Sequence, residues 1–314
     1  YNMNTIFLDT QVPSLPPQVA TVGFFDGVHK GHRFLIDKVK AMAQKGGMQS
    51  MVVTFDKHPR QVLAADYRPQ MLSTFGEKLV LLSQTEVDNC AVIPFSVETA
   101  QLSAYDFMRQ VLRDRLNVRV LIIGYDNRFG HNREEAFEDY VRYGKELGIE
   151  VVRNEVFVLN GVNVSSSVIR SFLQEGDVEM ARMCLGYPYT LTGMVVKGFQ
   201  EGRRMGFPTA NLDLGDSGKL VPKGGVYAVR TRLNNSMEMR RAMMNIGTRP
   251  TFGGDKQTLE AFIFDFEDDI YGEKLHVSFY HKMREERKFQ SAEELRAQLE
   301  KDRENVEQIF KEEK

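Results

Sequence analysis

Residues 21–32 read TVGFFDGVHKGH, and this stretch decides the fold of the first half of the chain. An apolar strand pattern, Val19 to Phe25, runs directly into Asp26-Gly27-Val28-His29-Lys30-Gly31-His32. A helix pattern follows at once, with Leu35, Ile36, Val39, Met42 and Ala43 recurring at helical spacing until Gly46-Gly47 stops them. Two histidines therefore sit where a parallel strand hands over to a helix N-terminus, the corner of an open α/β sheet at which ligands bind. Helix N-termini present unpaired N–H groups and a positive dipole end, and Gly31 keeps the space between the imidazoles free of a side chain. Such a corner suits a phosphoryl group in transfer, whose developing charge needs positioned donors. Solvated turn residues or a pair of metal ligands are the competing readings. The metal reading lacks a neighbouring His, Cys or carboxylate cluster of ligand spacing.

Outward from this corner, strand and helix patterns alternate, the signature of a parallel α/β sheet. The strands read at Gln49–Phe55, Ala91–Phe95, Arg119–Gly124, Glu150–Val152 and Glu155–Leu159. The helices read at Glu77–Leu82, Leu102–Leu116 and Glu134–Leu147. Two strand ends carry further polar chemistry: Asp56-Lys57-His58-Pro59 after the first, and Tyr125 to Arg133 after the third. Asp126, Asn127 and Arg128 in the latter either form a solvated loop or hold ribose hydroxyls and phosphates. VSSSVIRSFL, Val164–Leu173, reads as a helix capped by Ser165 or Ser166. Arg170 lies one turn beyond Ser166, so Ser166, Ser167 and Arg170 can converge on one phosphate. A helix at Asp177–Leu185 closes this half, and the domain boundary falls between residues 185 and 186.

From Tyr187 the texture changes to short strands and turns, at Leu191–Val196, Gly225–Arg232, Arg241–Ile246, Leu259–Phe266 and Leu275–Tyr280, spaced as in a small antiparallel barrel. Ser291–Lys314 reads as a terminal helix whose Leu295, Leu299, Val306 and Phe310 pack on that barrel. Thr209 and Asn211, two apart on extended chain, point the same way and can share one Mg²⁺. Glu260 opens an apolar strand as either a rim charge or a general base.

The chain's 314 residues allow two domains, and 42% apolar with 27% charged residues is ordinary for a globular protein. A net charge of -2 gives no reason to expect nucleic acid or an anionic membrane as partner. No apolar run approaches the roughly 20 residues of a membrane span, and no secretory pattern opens the sequence. Cys90 and Cys184 lie far apart in apolar patterns, so a cytoplasmic location is expected.

Together the motifs GFFDGVHKGH, TFDKHP, GYDNRFGHNR, SSSVIR, GRRMGFPTANL, NIGTRPTF and LEAFIFDF resemble those of the bifunctional bacterial riboflavin kinase/FAD synthetase family, in order and over nearly the whole chain. The resemblance implies a Rossmann-like nucleotidyltransferase domain followed by a riboflavin kinase barrel with a terminal helix. The barrel would phosphorylate riboflavin to FMN, and the first domain would join AMP from a second ATP to FMN, giving FAD and pyrophosphate. It implies ATP contacts at Gly23, Phe24, Asp26 and Gly31, with His29 and His32 on the phosphates. Ser166, Ser167 and Arg170 would hold the departing pyrophosphate, and Asp126, Asn127 and Arg128 ribose or phosphate. In the kinase it implies a loop with Gly202, Arg203, Gly206 and Pro208 over the nucleotide, Thr209 and Asn211 on Mg²⁺, and Glu260 as base. His58 and Arg284 match positions near the flavin. Partners are then small molecules, without nucleic acid or membrane, and a homo-oligomer is compatible with the reading.

The sequence departs from the family pattern at Lys57, where Pro is usual, at Asn127, where an aromatic is usual, and at Glu134, where Gly is common. A class I aminoacyl-tRNA synthetase also uses a His-x-Gly-His turn, and Lys282-Met283-Arg284 faintly resembles its second signature, but the chain is short and near neutral for one. A flavin sensor without turnover would have no need of His29, His32, Thr209, Asn211 and Glu260 together.

Overall fold

The alternating patterns of the first half become a six-stranded, all-parallel sheet in a computed structural model of the chain, which describes residues 2–9, 11–64, 66, 70–125, 127–197 and 207–313. Its strands are β1 (Asn4–Phe7), β2 (Gln18–Val22), β3 (Gln49–Phe55), β4 (Asn89–Ile93), β5 (Val118–Ile123) and β6 (Glu150–Arg153), in the order β1-β4-β3-β2-β5-β6. Between them run α1 (Lys30–Gly46), α2 (Pro59–Leu63), α3 (Phe75–Ser83), α4 (Val97–Gln101), α5 (Ala104–Asp106) and α6 (Phe137–Leu147). Successive strand residues serve opposite faces. Val52 and Ile122 pack with Ile36, Val39 and Leu82 of α1 and α3, while Val53 and Leu121 pack with Met108, Leu112 and Tyr140 on the other side. The chain steps outward from β2 through β3 to β4, then returns to β5 on β2's free side. The switch point, where an open sheet leaves a crevice, thus lies between the ends of β2 and β5.

Three expectations for this half need correction. Residues 107–115 form a π-helical segment, in which the Leu116 N–H bonds the Val111 carbonyl at 3.1 Å, rather than a continuous α-helix. The helix expected from Glu134 begins at Phe137, because Ala136 keeps extended backbone (φ −88°, ψ 168°) as its N-cap and donates its N–H to the Asp139 carboxylate at 2.8 Å. Residues 155–159 supply no strand to the main sheet. Instead β7 (Val158–Leu159) and β8 (Val162–Asn163) make a small hairpin across Asn160-Gly161, both at positive φ, as a tight hairpin turn of this sequence demands.

The chain divides into two compact units, Tyr1–Ser166 and Ser167–Lys314. The second holds α7 (Ser166–Glu175) beyond its first residue, α8 (Val178–Leu185) and a closed antiparallel barrel. The barrel strands are β9 (Thr190–Val196), β10 (Thr209–Asp213), β11 (Gly225–Leu233), β12 (Arg240–Thr251), β13 (Gly254–Ile263) and β14 (Lys274–Arg284), ordered β10-β13-β12-β11-β14-β9. α8 groups with the barrel through a contact of the Glu179 carboxylate with the His281 ring on β14. α9 (Ala292–Glu312) starts at Ser291, whose hydroxyl accepts the Glu294 N–H at 3.2 Å. Its Leu299, Val306 and Phe310 cover Val226, Met243 and Phe262 on the outer barrel face, as the apolar stripe predicts.

Candidate active sites

In the first unit, β2 ends at Val22 and the chain makes a turn that keeps Phe25 (φ +58°) and Val28 (φ +41°) in left-handed backbone. For a β-branched residue this conformation is strained, by about 1–3 kcal/mol, and persists only where surrounding contacts hold it. Those contacts come from a distant strap. The Asp26 carboxylate, 3% exposed, accepts the Leu72 and Ser73 N–H groups at 3.0–3.1 Å and the Ser73 hydroxyl at 3.3 Å. Ser73 Oγ in turn accepts the Gly27 N–H at 2.9 Å. Asp26, expected among the ATP contacts, thus also holds the turn in place through its carboxylate.

The turn delivers His29 to the N-cap of α1, where its Nδ1 accepts the His32 N–H at 3.2 Å. The two imidazoles stack with centroids 3.5 Å apart and planes 16° from parallel. His32 Nδ1 is buried without a hydrogen-bond partner among the described residues. Burial, then the neighbouring His29 and Lys78, hold the His32 pKa well below its ordinary 6.5, so the ring is neutral at pH 7. A Cβ at Gly31 would lie 3.0 Å from His29 Cε1 and 3.2 Å from the Val164 carbonyl oxygen, so the imidazole would have to give way. At Gly23 a Cβ would press on the Phe25 ring at 3.2 Å. The Ser166 hydroxyl donates to the Asp26 carbonyl at 2.9 Å, tying the start of α7 to the turn. Ser167 and Arg170 follow on α7, beyond the division between the units.

The sequence reading missed Lys78. On α3, it is 2% exposed, and its ammonium donates to the Phe24 carbonyl (3.0 Å), Thr54 Oγ1 (3.1 Å) and the Phe55 carbonyl (2.8 Å). It binds together the ends of β2 and β3, 4.0 Å from the centre of the Phe24 ring. Burial lowers its pKa to about 8, against the raising influence of Cys90, Asp26 and Asp56. The only available signal was a lysine on the apolar side of a short helix, between Phe75 and Leu82. His58, at the β3 end, caps α2 by accepting the Arg60 N–H at 3.2 Å and meets Phe24 edge-on at 5.1 Å.

Across the switch point, the Asn127 side-chain amide donates to the Val22 carbonyl, bridging the β5 loop to β2. Polar replacement of the usual aromatic thus yields a strut at this position. Asp126 lies outside the described residues. Arg128 lines a cavity of about 360 Å³ with Tyr125, Asn127, Glu135, Tyr140 and Arg153. Phe129 anchors the loop by stacking on Tyr140, whose hydroxyl both accepts the Phe129 N–H and donates to its carbonyl at 3.0 Å.

The barrel assembles its site by register. Asn211 on β10 faces Glu260 on β13, Glu260 faces Asn245 on β12, Asn245 faces Val226 on β11, and Val226 faces Arg284 on β14. Directly paired residues share a sheet face, so Asn211, Glu260, Asn245 and Arg284 form one row on the face that α9 partly covers. Thr209 shares that face and lines, with Pro208, Asp268, Asp269 and Tyr271, a cavity of about 390 Å³. Arg249 Nη2 stands 3.6 Å from Glu260 Oε1. Arg284 is held by a two-pronged pair with Asp302 of α9, its Nη2 2.8 Å and Nε 3.1 Å from the carboxylate oxygens. Asp302, 1% exposed, also accepts from Gln298 Nε2 at 2.8 Å and is a carboxylate on the buried side of α9. Gly202, Arg203 and Gly206 lie outside the described residues.

A family model described as FAD synthetase matches residues 12–168, and one described as riboflavin kinase matches residues 185–310. The bifunctional riboflavin kinase/FMN adenylyltransferase of Escherichia coli K12 is 36% identical over 93% of this chain and 92% of its own length. The chain belongs to this bifunctional family. Its Bacillus subtilis member is likewise 36% identical over 93% of this chain and 92% of its own. A solved Streptococcus pneumoniae structure, described as a macrolide-efflux protein, superposes with TM-score 0.87 at 32% identity, covering 97% of this chain and 99% of its own. As a riboflavin kinase/FMN adenylyltransferase, the chain phosphorylates riboflavin with ATP and adenylylates the resulting FMN with ATP to give FAD. No helix among the described residues is long and apolar enough to cross a membrane.

Proposed function

We propose that the His29–His32 turn is the adenylyltransferase centre and the Asn211–Glu260–Arg284 row the kinase centre. In the first, a phosphate oxygen of FMN attacks the α-phosphorus of ATP and pyrophosphate leaves. The α1 N-terminus and the two imidazoles surround the five-coordinate phosphorus with donors, so the work is positioning and charge stabilisation. The observation that carries this reading is the stacked pair at a helix N-terminus with His32 Nδ1 buried and unpartnered among the described residues. Asp26, Asn127 and Ser166 position the turn. Gly23, Phe24 and Gly31 let the nucleotide approach it, and Arg128 serves ribose or phosphate from the neighbouring cavity. Ser167 and Arg170 keep the phosphate role that their motif implies, and His58 stays assigned to the flavin side.

In the second centre the riboflavin 5'-hydroxyl attacks the γ-phosphorus of ATP, ADP leaves, and Glu260 takes the hydroxyl proton. Thr209 and Asn211 offer two neutral oxygens beside the Glu260 carboxylate, a hard donor set that fits Mg²⁺ and leaves positions for water and phosphate. Among the described residues no cluster of three His, Cys, Asp or Glu competes with it as a metal site. Mg²⁺ bound there would neutralise phosphate charge. Arg284, oriented by Asp302, faces the flavin, and Pro208 with the Gly202–Gly206 loop covers the nucleotide. The start of the riboflavin kinase match at residue 185 supports a functional boundary between 185 and 186. Cys90 and Cys184, buried and not joined in a disulfide, favour the cytoplasm.

The test is separability. His32→Ala stops FAD formation from FMN and spares FMN formation, and Glu260→Ala does the reverse, as followed by chromatographic separation of flavins over time. Loss of both reactions from either change in a folded protein overturns the two-site reading.

A further inference from the structure

The kinase row contains one residue without a role. Asn245 lies between Glu260 and Val226, on the same face as Asn211 and Arg284. Its Oδ1 is buried and has no hydrogen-bond partner among the described residues. A buried, unpaired amide oxygen costs about 1–3 kcal/mol, a cost that a donor from water, an ion or a bound ligand removes. Its place in the row says which donor. Neighbouring strands lie about 4.8 Å apart, which puts Asn245 one strand from the base and two strands from Arg284. The reacting hydroxyl must reach Glu260 while the ring system extends toward Arg284. What joins the ring to that hydroxyl is the ribityl chain, a polyol with three secondary hydroxyls, and this part of the substrate passes over Asn245.

We propose that Asn245 is a substrate-binding residue of the kinase, whose side-chain oxygen accepts a hydrogen bond from a ribityl hydroxyl and so sets the terminal hydroxyl at Glu260. The proposal rests on the assignment of Glu260 as base and Arg284 as flavin-facing. It adds a specificity element: the site reads the polyol chain and not only the ring.

The experiment compares binding of riboflavin and of lumiflavin, the same ring with a methyl group in place of the ribityl chain, by flavin fluorescence on the full chain. Asn245→Ala weakens riboflavin about tenfold, the worth of one hydrogen bond to a buried group, and leaves lumiflavin unchanged. Asn245→Leu, which keeps the side-chain bulk, does the same if packing is not the cause. In kinetics the KM for riboflavin rises, the KM for ATP stays, and FAD formation from supplied FMN is untouched. Equal weakening of riboflavin and lumiflavin, or a change confined to the KM for ATP, overturns the proposal. Full kinase turnover in Glu260→Gln would instead sink the assignment of the base, so the two failures are told apart.

Discussion

Replacing Lys78 by Met should change how stability depends on pH, because the lysine's charge is held out of water. Its ammonium has three oxygen acceptors and 2% exposure, and burial takes its pKa from 10.5 to about 8. In the unfolded chain the group keeps its ordinary value. Between pH 8 and 10.5 the folded protein has therefore released a proton that the unfolded chain still binds, and unfolding free energy rises with pH. At about 1.36 kcal/mol per pH unit the rise from this one group is about 3 kcal/mol. Below pH 8 both states carry the charge and the contribution is flat. Lys78→Met removes the titration and leaves the Phe24 and Phe55 carbonyls and Thr54 Oγ1 without this donor. Urea unfolding at a series of pH values, following the transition that abolishes adenylylation, gives the difference between wild type and variant. Other groups that titrate in this range cancel in that difference. The expected difference moves in favour of the wild type by about 3 kcal/mol between pH 8 and 10.5. A difference independent of pH would refute a desolvated, charged Lys78.

Gly31→Ala should lower FAD formation from supplied FMN at least about tenfold while FMN formation persists, since the new Cβ would stand 3.0 Å from the His29 ring. Unchanged adenylylation would mean that the imidazole need not hold its stacked position. Asp302→Ala should destabilise the second unit by about 2 kcal/mol, less than for a fully buried pair because Arg284 keeps some access to water. The same variant should raise the KM for riboflavin, and a riboflavin KM unmoved in a folded variant would show that Arg284 does not depend on its partner.

Local pattern made some of this legible. The strand-turn-helix reading of residues 21–32 needed only an apolar run, two glycines and a helical repeat, and it put both histidines at the start of α1, where the structure makes His29 the N-cap. The terminal helix expected from Ser291 likewise starts there, with the Ser291 hydroxyl accepting the Glu294 N–H. What stayed hidden was the support. Asp26 is held by residues 72 and 73, and Lys78 reaches Phe24, Thr54 and Phe55, over separations at which no periodicity relates one residue to another. The left-handed backbone of Val28 was hidden as well, since the Asp26 and Ser73 contacts that hold the turn around it come from far along the chain.

The kinase row depends on register in a way that alternation alone could not convey. Sequence shows that Asn245 lies between Met244 and Ile246, and Glu260 between Leu259 and Ala261, but not which residue of β12 meets which of β13. A slip of one residue would set Ile246 beside Glu260 and turn Asn245 into the barrel interior. Met244 and Ile246 forbid it, because both are buried opposite Ala261 and Leu259 and the slip would turn them to the face that carries the polar row. Their burial stabilises the barrel at about 25 cal/mol per Å² of apolar surface, so the slipped pairing would forfeit several kcal/mol for each pair displaced. The hydrophobic interior thus determines the chemistry outside it: Asn211, Glu260 and Asn245 stand side by side because the residues beneath them can be buried in only one register.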